Sequence, residues 1–241
     1  MLLEDYLYRR SDLSTFVVHL TRDRQNATAK EALDLIVADR ELKAGNKQGW
    51  ALNVGEAGGD SQRVVCFSEV PLEHVHSLTV DLQGQQIKLR PYGVALTKAT
   101  ARRKRINPVW YLDGHNLPHV AGALEDLKES ALSEGFQEHP MSKLFPYIER
   151  TGPGRQFSWE REWRCVGDVE LEPRDVAFWL CPEDEIDQFE RDVMRSWKLG
   201  GEEGEQRLIN QQYAIDPRWG MERIIQHLVR AGDRPDEFDS H

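Results

Sequence analysis

Long apolar runs are missing from this 241-residue sequence. No segment approaches the roughly 18 apolar residues that a membrane-spanning helix needs. The amino terminus also lacks the basic stretch followed by an apolar one that is typical of secretory signals. We therefore expect no membrane association and a cytoplasmic location.

Cysteine is scarce as well, with three residues at Cys66, Cys165 and Cys181. An odd number of widely spaced cysteines is typical of buried thiols in a reducing compartment. None has a histidine beside it that would activate a nucleophilic thiolate. The cysteines therefore indicate neither a disulfide framework nor a catalytic centre.

Recognisable metal and nucleotide motifs are absent too. His74 and His76 would fall on different faces of a helix, and the His115–His119 pair has ligand spacing but no cysteine nearby. Glycine-rich nucleotide loops, the nucleophile elbow and the zinc-protease helix do not occur. We predict no metal site and none of these common catalytic centres.

Positive charge is in deficit, since 31 Lys and Arg stand against 41 Asp and Glu, a net charge of -10. A broad nucleic-acid surface needs a basic stripe, so this balance argues against one. The exception is the short run Arg102-Arg103-Lys104-Arg105. Such a run is usually a solvated loop, but it could also meet a phosphate or an acidic partner.

Strand-like segments come in runs rather than alternating with helices, which favours an α+β fold. Strands are predicted at 16–20, 63–68, 77–82, 86–90, 92–97, 109–112, 158–166, 174–181 and 213–216. Helices are predicted at 28–39, 72–78, 120–133, 141–148, 182–198 and 217–230. Residues 42–60 are predicted to form a loop and Gly84 a hairpin turn. We expect one domain over residues 1–231 and a disordered acidic tail at 232–241.

The most unusual segment is Ser158–Val166, in which Glu160, Glu162 and Arg164 alternate with apolar residues. In an extended chain residues i and i+2 share a face, so these three side chains should project together. One interpretation is a surface strand with ion pairs worth under about 1 kcal/mol each. The other is a cleft in which the carboxylates hold a sugar hydroxyl or stabilise a developing positive charge.

Two further groups stand at the ends of predicted strands. His19 and Thr21 share a face at the end of the first strand. Phe67 and Ser68, followed by Glu69, end a buried strand with an aromatic ring, a hydroxyl and a carboxylate. A histidine in a strand is more often structural than functional, so each group is informative only in combination with the others.

The segment His19-Leu20-Thr21 before a helix resembles the His-x-Thr start of DarT-type ADP-ribosyltransferases. Residues 66–69 look like the second core strand of these enzymes, and Glu160-Arg161-Glu162 is similar to their Glu-x-Glu motif. Taken together, segments 16–21, 66–71 and 159–164 resemble more closely the bacterial AbiGi family, which is associated with an antitoxin role in phage resistance. The similarity covers about residues 8 to 182.

The resemblance implies an ADP-ribosyltransferase-like fold of mixed and antiparallel sheets with flanking helices, and NAD as the substrate. Glu162 would contact a ribose hydroxyl and oppose the oxocarbenium charge, and Glu160 would orient or deprotonate the acceptor. His19 and Thr21 would fix the adenosine-side ribose, and Ser68 would support the catalytic glutamate. Phe67, Tyr92 or Tyr111 would stack on nicotinamide, and the sequence does not choose among them.

The leading hypothesis is therefore a phage-defence protein that uses NAD to modify a protein or nucleic-acid acceptor. The first alternative is a non-catalytic, antitoxin-like protein that binds a toxin or another defence partner. The second is a domain that senses NAD or a related nucleotide without turnover. The sequence does not determine the oligomeric state.

Overall fold

The structure is a computed structural model that describes residues 13–81, 87–113, 118–152, 158–198, 208–209 and 211–232. Its strands are β1 (Phe16–Arg22), β2 (Glu41–Leu42), β3 (Asn46–Lys47), β4 (Arg63–Ser68), β5 (Leu89–Thr97), β6 (Asn107–Pro108), β7 (Trp110–Asp113), β8 (Ile148–Thr151), β9 (Glu162–Val166), β10 (Val169–Glu170), β11 (Val176–Leu180) and β12 (Ala214–Ile215). Its α-helices are α1 (Ala29–Asp39), α2 (Lys98–Arg103), α3 (Pro118–Glu134), α4 (Ile186–Lys198) and α5 (Met221–Gly232). Short 3-10 segments occupy Gly49–Gln62, Leu72–Thr79, Pro140–Lys143, Phe145–Tyr147, Ser158–Glu160 and Glu183–Glu185. Helices together with mostly antiparallel strands confirm the predicted α+β class.

The described residues group into two compact units, each built from segments that are separate in sequence. The described residues of the first unit lie within Met1–Arg40, Val70–Thr97 and Leu171–His241, and those of the second lie within Glu41–Glu69 and Lys98–Glu170. The single domain over residues 1–231 stays a prediction. Of the predicted tail at 232–241, only Gly232, the last residue of α5, lies among the described residues.

In the first unit, β1, β5 and β11 are antiparallel neighbours, and β12 runs parallel to β11. Helix α1 begins at the predicted capping box, because the Thr28 hydroxyl accepts from the Glu31 amide while the Glu31 carboxylate accepts from the Thr28 amide. Trp197 of α4 donates to the Val37 carbonyl of α1 at 2.8 Å. Its ring meets Trp179 of β11 edge-on at 5.7 Å, so aromatic packing ties both helices to the sheet.

Strand β5 corrects two sequence predictions. It is one continuous strand rather than separate strands at 86–90 and 92–97, and the irregular pairing between Leu89 and Gly93 accommodates Pro91. A bulge is where a strand tolerates a proline, which has no amide hydrogen to donate. The strand predicted at 77–82 is also wrong, because Leu72–Thr79 forms a 3-10 segment. The predicted turn at Gly84 lies outside the described residues.

In the second unit, β3, β4, β9 and β6 pair antiparallel in that order. Strands β2 and β10 form an antiparallel pair, and β7 and β8 form a parallel pair. The loop predicted at 42–60 is instead β2, β3 and much of the 3-10 segment Gly49–Gln62. That segment is ordered because Trp50, Ala51 and Val54 are buried in a hydrophobic cluster with residues of α3 and β8.

The helix predicted at 141–148 is corrected to two 3-10 turns followed by β8. Pro146 removes a backbone donor in the middle of that segment, which prevents a continuous α-helix. Among the described residues, no helix is both long enough and apolar enough to cross a lipid bilayer.

Candidate functional site

Strand β9 places the most unusual sequence segment between two neighbouring strands, β4 and β6. On β4, Ser68 lies opposite Glu162 and Cys66 lies opposite Arg164. Because side chains alternate along a strand, Glu162 and Arg164 share one face, and Trp163 lies on the other. The predicted shared face is confirmed for Glu162 and Arg164, which bond directly to each other.

The Arg164 guanidinium is surrounded by acceptors from its own unit. Its Nε donates to Glu162 Oε1 at 3.0 Å, and its Nη2 donates to Glu162 Oε2 at 2.7 Å. Nη2 also donates to Glu149 Oε2 at 2.7 Å, and Nη1 donates to the Pro146 carbonyl at 2.7 Å. Two carboxylates and one carbonyl therefore receive hydrogen bonds from this one side chain.

Arg164 is a buried cation, with 1% of its surface exposed. Burial alone would lower the pKa of Arg164, but its hydrogen bonds to Glu162 and Glu149 and its attraction to Glu162 raise that pKa above the usual value. A buried charge is tolerated only when it is paired and hydrogen-bonded. Arg164 consequently stays charged and holds β9 to β8, the strand that carries Glu149.

A glycine makes room for this cation. Gly49 has a φ of 58°, a conformation that L-residues with side chains rarely adopt. A Cβ at this position would lie 2.1 Å from the Ile148 carbonyl oxygen and 2.6 Å from Arg164 Nη1. Sequence analysis missed Gly49, because its importance comes from contacts with residues about a hundred positions away in the chain.

Glu160 does not lie on the strand, and this part of the prediction is wrong. It ends the 3-10 segment Ser158–Glu160, and Arg161 follows with a φ of 44° before β9 begins at Glu162. The change of direction at Arg161 breaks the two-residue alternation on which the prediction rested. Glu160 and Glu162 therefore do not project from the same face of a strand.

Glu160 is nevertheless a group near this site whose pKa is shifted to about neutral pH. Burial, followed by repulsion from Glu162, raises the pKa of Glu160 from 4.5 to about 7, with Arg164 partly opposing the shift. The part of the chain that the structure describes provides no hydrogen bond to its carboxyl group. We call Glu149, Glu160, Glu162 and Arg164 the Arg164 cluster. Because its pKa is about 7, the Glu160 carboxyl group can gain and lose a proton near neutral pH.

Two further groups border the Arg164 cluster. The Tyr111 hydroxyl accepts from the Glu162 amide at 2.9 Å, and burial is the main cause that raises the pKa of Tyr111. Burial likewise raises the pKa of the Cys66 thiol well above its usual value, and the negative charge of Glu162 adds to this effect. Both groups remain protonated at neutral pH, so neither acts as an anionic nucleophile.

A second polar cluster lies on the opposite face of β9. Glu69 accepts from Trp163 Nε1 at 2.9 Å and pairs with Lys98 Nζ at 2.7 Å, and Arg161 Nη1 lies 3.8 Å from its carboxylate. Lys98 Nζ also lies 5.7 Å from the centre of the Trp163 ring. These four residues form the Glu69 cluster, whose partners sequence analysis did not identify.

The model of the family described as "Putative abortive phage resistance protein AbiGi, antitoxin" matches residues 47–177, more than half of the chain. The chain belongs to the AbiGi family. The matched range contains every residue of the Arg164 and Glu69 clusters. No curated protein and no solved structure matches the chain.

The AbiGi match leaves β1 outside its range, and with it His19 and Thr21. The Thr21 hydroxyl is buried and donates to the Ala29 carbonyl at 2.7 Å, with the Tyr92 carbonyl at 3.1 Å. His19 pairs with Val94 in the β1–β5 ladder, and its side chain is of intermediate exposure. Their assignment to a ribose stays a prediction.

The remaining residues predicted to contact the cofactor are Phe67, Ser68 and Tyr92. Phe67 is 1% exposed, so both faces of its ring are covered. Ser68 is also buried, opposite Glu162 on the neighbouring strand. The Tyr92 hydroxyl donates to Glu185 at 2.6 Å, and burial is the first cause that raises its pKa. For this site NAD stays a prediction, and among the candidate aromatic residues Tyr111 has its hydroxyl 2.9 Å from the Glu162 amide nitrogen.

The histidine pairs considered as metal ligands can be compared with the described residues. Within the described ranges, no group of three or more histidine, cysteine, aspartate or glutamate side chains could hold a metal ion. His74 and His76 are exposed, and their rings meet edge-on at 6.5 Å. His115 lies outside the described residues.

Proposed function

We propose that this AbiGi-family chain acts in phage resistance as an antitoxin-type protein that binds and restrains a protein partner without turning over a substrate. The observation that carries the proposal is the bidentate contact between Glu162 and the buried Arg164. A carboxylate already neutralised by a fixed guanidinium is poorly suited to oppose a developing positive charge in a substrate. The geometry of the Glu162–Arg164 pair supports a structural role, in which the pair stabilises the second unit.

The partner-binding residues would lie on the surface of the same unit. Trp110 is 56% exposed and Trp159 is 40% exposed, which is unusual for such large apolar side chains. The Val109 amide donates to the Glu162 carbonyl at 2.8 Å, so the residue just before Trp110 is bonded to the first residue of β9. Trp159 lies in the 3-10 segment that precedes β9. Tryptophan is enriched among the residues that dominate binding energy at protein interfaces.

A replacement experiment at the native locus tests this proposal. Deleting the chain should slow host growth without phage, because the partner is then unrestrained. Wild type and Glu160→Gln should both restore growth, whereas a double Trp110→Ala, Trp159→Ala variant should lower rescue by about tenfold in plating efficiency. Leu52→Ala is the matched control, since Leu52 is an exposed apolar side chain of the same unit.

Two results would count against the binding role. The first is normal growth after deletion of the chain together with unchanged phage resistance. The second is full rescue by the double tryptophan variant at wild-type protein levels. Thermal denaturation of the purified variants would show whether a loss of rescue reflects a loss of folding.

A second candidate function is ADP-ribosyl transfer from NAD to a protein or nucleic-acid acceptor, and Glu160 is the observation that favours it. A carboxyl group with a pKa of about 7 can accept a proton at neutral pH. In that reaction the bond between nicotinamide and ribose breaks and nicotinamide leaves with the electron pair. The acceptor then bonds to the ribose carbon, and its proton passes to Glu160.

Labelled NAD distinguishes the two candidates. Transferase activity predicts label in a target lysate with wild type and with Glu56→Gln, a control at an exposed glutamate of the same unit, and loss of label with Glu160→Gln and Glu162→Gln. Equal label with all four proteins, or none with any, would contradict catalysis. Thermal stabilisation by NAD without label would instead favour nucleotide sensing, since a ligand at 100 times its dissociation constant stabilises by about 2.7 kcal/mol.

A further inference from the structure

A cavity of about 300 Å³ opens in the first unit, where β1 ends and β5 begins. Within the described residues, its lining consists of Arg22, Asp23, Arg24, Ile87, Lys88 and Arg90. We call it the basic cavity, because four of these six side chains carry positive charge. None of the residues considered for the function proposed above belongs to it.

Part of this positive charge is neutralised inside the unit. Arg90 Nε pairs with Asp23 at 2.8 Å, and Lys88 Nζ pairs with Asp81 at 3.0 Å. Asp81 also lies 3.6 Å from Arg90 Nη1, so two carboxylates face Lys88 and Arg90. The hydrogen bond from Arg90 is the main reason why the pKa of Asp23 lies below its usual range.

The remaining two cations are not neutralised in this way. Within the described part of the chain, neither the Arg22 nor the Arg24 guanidinium has a hydrogen bond or an ion pair. The cavity therefore has an excess of positive charge, in a protein whose net charge is -10. A cationic hollow on an acidic protein attracts small anions selectively, and guanidinium groups match phosphate geometry through paired hydrogen bonds.

The positions of Arg90 and Asp23 are fixed by the fold. Asp23 Oδ1 accepts from the Ala29 amide at the start of α1 at 2.9 Å, while its other oxygen pairs with Arg90. The cavity wall is thereby tied to both β5 and α1. Ile87 adds an exposed apolar side chain, which suits a sugar or a base better than bare inorganic phosphate.

We propose that the basic cavity binds the phosphate groups of a small nucleotide, with Arg22 and Arg24 as the main phosphate ligands. Arg22 and Arg24 can each contact one phosphate group of a diphosphate, and a volume near 300 Å³ is at the lower end of the range for small-molecule sites. This inference goes beyond the proposed antitoxin-type function and does not depend on it.

Isothermal titration of the full chain with ADP and with inorganic pyrophosphate tests the site. Both should bind saturably, and ADP should bind more tightly because Ile87 adds an apolar contact. The double Arg22→Gln, Arg24→Gln variant should weaken both affinities by about tenfold or more. Arg174→Gln, which removes an exposed arginine of the same unit outside the cavity, should change neither by more than about twofold.

A single Arg24→Lys variant tests the site with a substitution that should leave the stability of the fold unchanged. It keeps the charge but loses the paired geometry, so it should bind ADP with an affinity between those of wild type and the double variant. The site is refuted if wild type shows no saturable binding, or if the double variant binds ADP as tightly as wild type.

These outcomes are independent of the antitoxin-type role. Loss of ADP binding in the double arginine variant with normal rescue at the native locus would leave partner binding intact. Normal ADP binding in the double tryptophan variant with lost rescue would leave the cavity intact.

Discussion

Arginine side chains occupy both the Arg164 cluster and the basic cavity, but their surroundings differ. In the cluster, one buried guanidinium donates to two carboxylates and a carbonyl of its own unit. In the cavity, Arg22 is half-buried, Arg24 is exposed, and the described residues leave both unpaired. A charge that is paired in the folded chain stabilises the fold, whereas an unpaired one at a cavity remains available to a ligand.

The largest expected effect comes from breaking the buried pair. Arg164→Met removes the cation and leaves Glu149 and Glu162 facing each other without neutralisation. We expect the free energy of unfolding to fall by about 3 kcal/mol, because the two remaining carboxylates, both partly buried, lose the cation that compensates their charge. Urea denaturation followed by circular dichroism would measure the change.

Arg22→Met in the basic cavity is the matched control for this substitution. The lost charge has no partner among the described residues, so we expect a change within about 0.5 kcal/mol. Similar losses for the two variants would show that the two regions do not differ in the way the structure indicates. A large loss at Arg22 alone would reverse the comparison.

The Glu69 cluster should show an intermediate effect. Glu69→Ala leaves the Trp163 indole hydrogen without its acceptor and Lys98 without its carboxylate. An unsatisfied buried donor costs about 1–3 kcal/mol, and the same denaturation experiment measures that loss. Glu69→Gln keeps an acceptor for the indole, and it should recover part of the loss. A full loss in both variants would mean that charge, rather than the hydrogen bond, dominates this contact.

Sequence alone predicted the parts of this comparison that depend on local spacing. The shared face of Glu162 and Arg164 follows from strand alternation, and the start of α1 follows from the capping box of Thr28 and Glu31. Glu160 was misplaced because the backbone turns at Arg161, with a φ of 44°. Neither hydrophobic pattern nor spacing indicates a left-handed arginine at that position.

The partners of these residues could not be predicted from the sequence. Glu149 lies 15 positions from Arg164, and Glu69 lies 94 positions from Trp163. Such pairs depend on how β4, β8 and β9 come together, and a single sequence contains no direct signal for this. The basic cavity was missed for the same reason, because Arg22 and Arg24 are brought to Lys88 and Arg90 only by the β1–β5 pairing.

Glu160 gives a smaller effect on stability, and the size of this effect depends on pH. Its carboxyl group titrates near 4.5 when unfolded and near 7 when folded, because burial and Glu162 oppose its ionisation. Between these values the folded state binds more protons than the unfolded state, so stability should decrease as the pH rises through this window. Below about pH 4.5 the carboxyl is protonated in both states, and above about pH 7 the folded state bears the full cost of its ionisation.

Glu160→Gln should therefore remove this pH dependence. Above pH 7 the variant should be more stable than wild type by about 1–2 kcal/mol, once solvent screening is taken into account. Near pH 4 the two proteins should differ little, because wild type is then protonated as well. Denaturation curves at several pH values would measure this, and parallel pH profiles for the two proteins would contradict it.

The smallest expected effect lies next to the basic cavity. Thr28→Ala removes the hydroxyl that accepts from the Glu31 amide, an exposed contact at the start of α1. We expect a loss of about 1 kcal/mol in the free energy of unfolding, with most of it recovered by Thr28→Ser. Asp23 still accepts from the Ala29 amide, so the cavity wall should keep its place and the affinity for ADP should change by less than about twofold. The contrary outcome is that Thr28→Ala destabilises the chain as much as Arg164→Met. An exposed polar contact would then stabilise this fold as much as the buried Arg164 pair does, and burial would not explain the difference expected between Arg164 and Arg22.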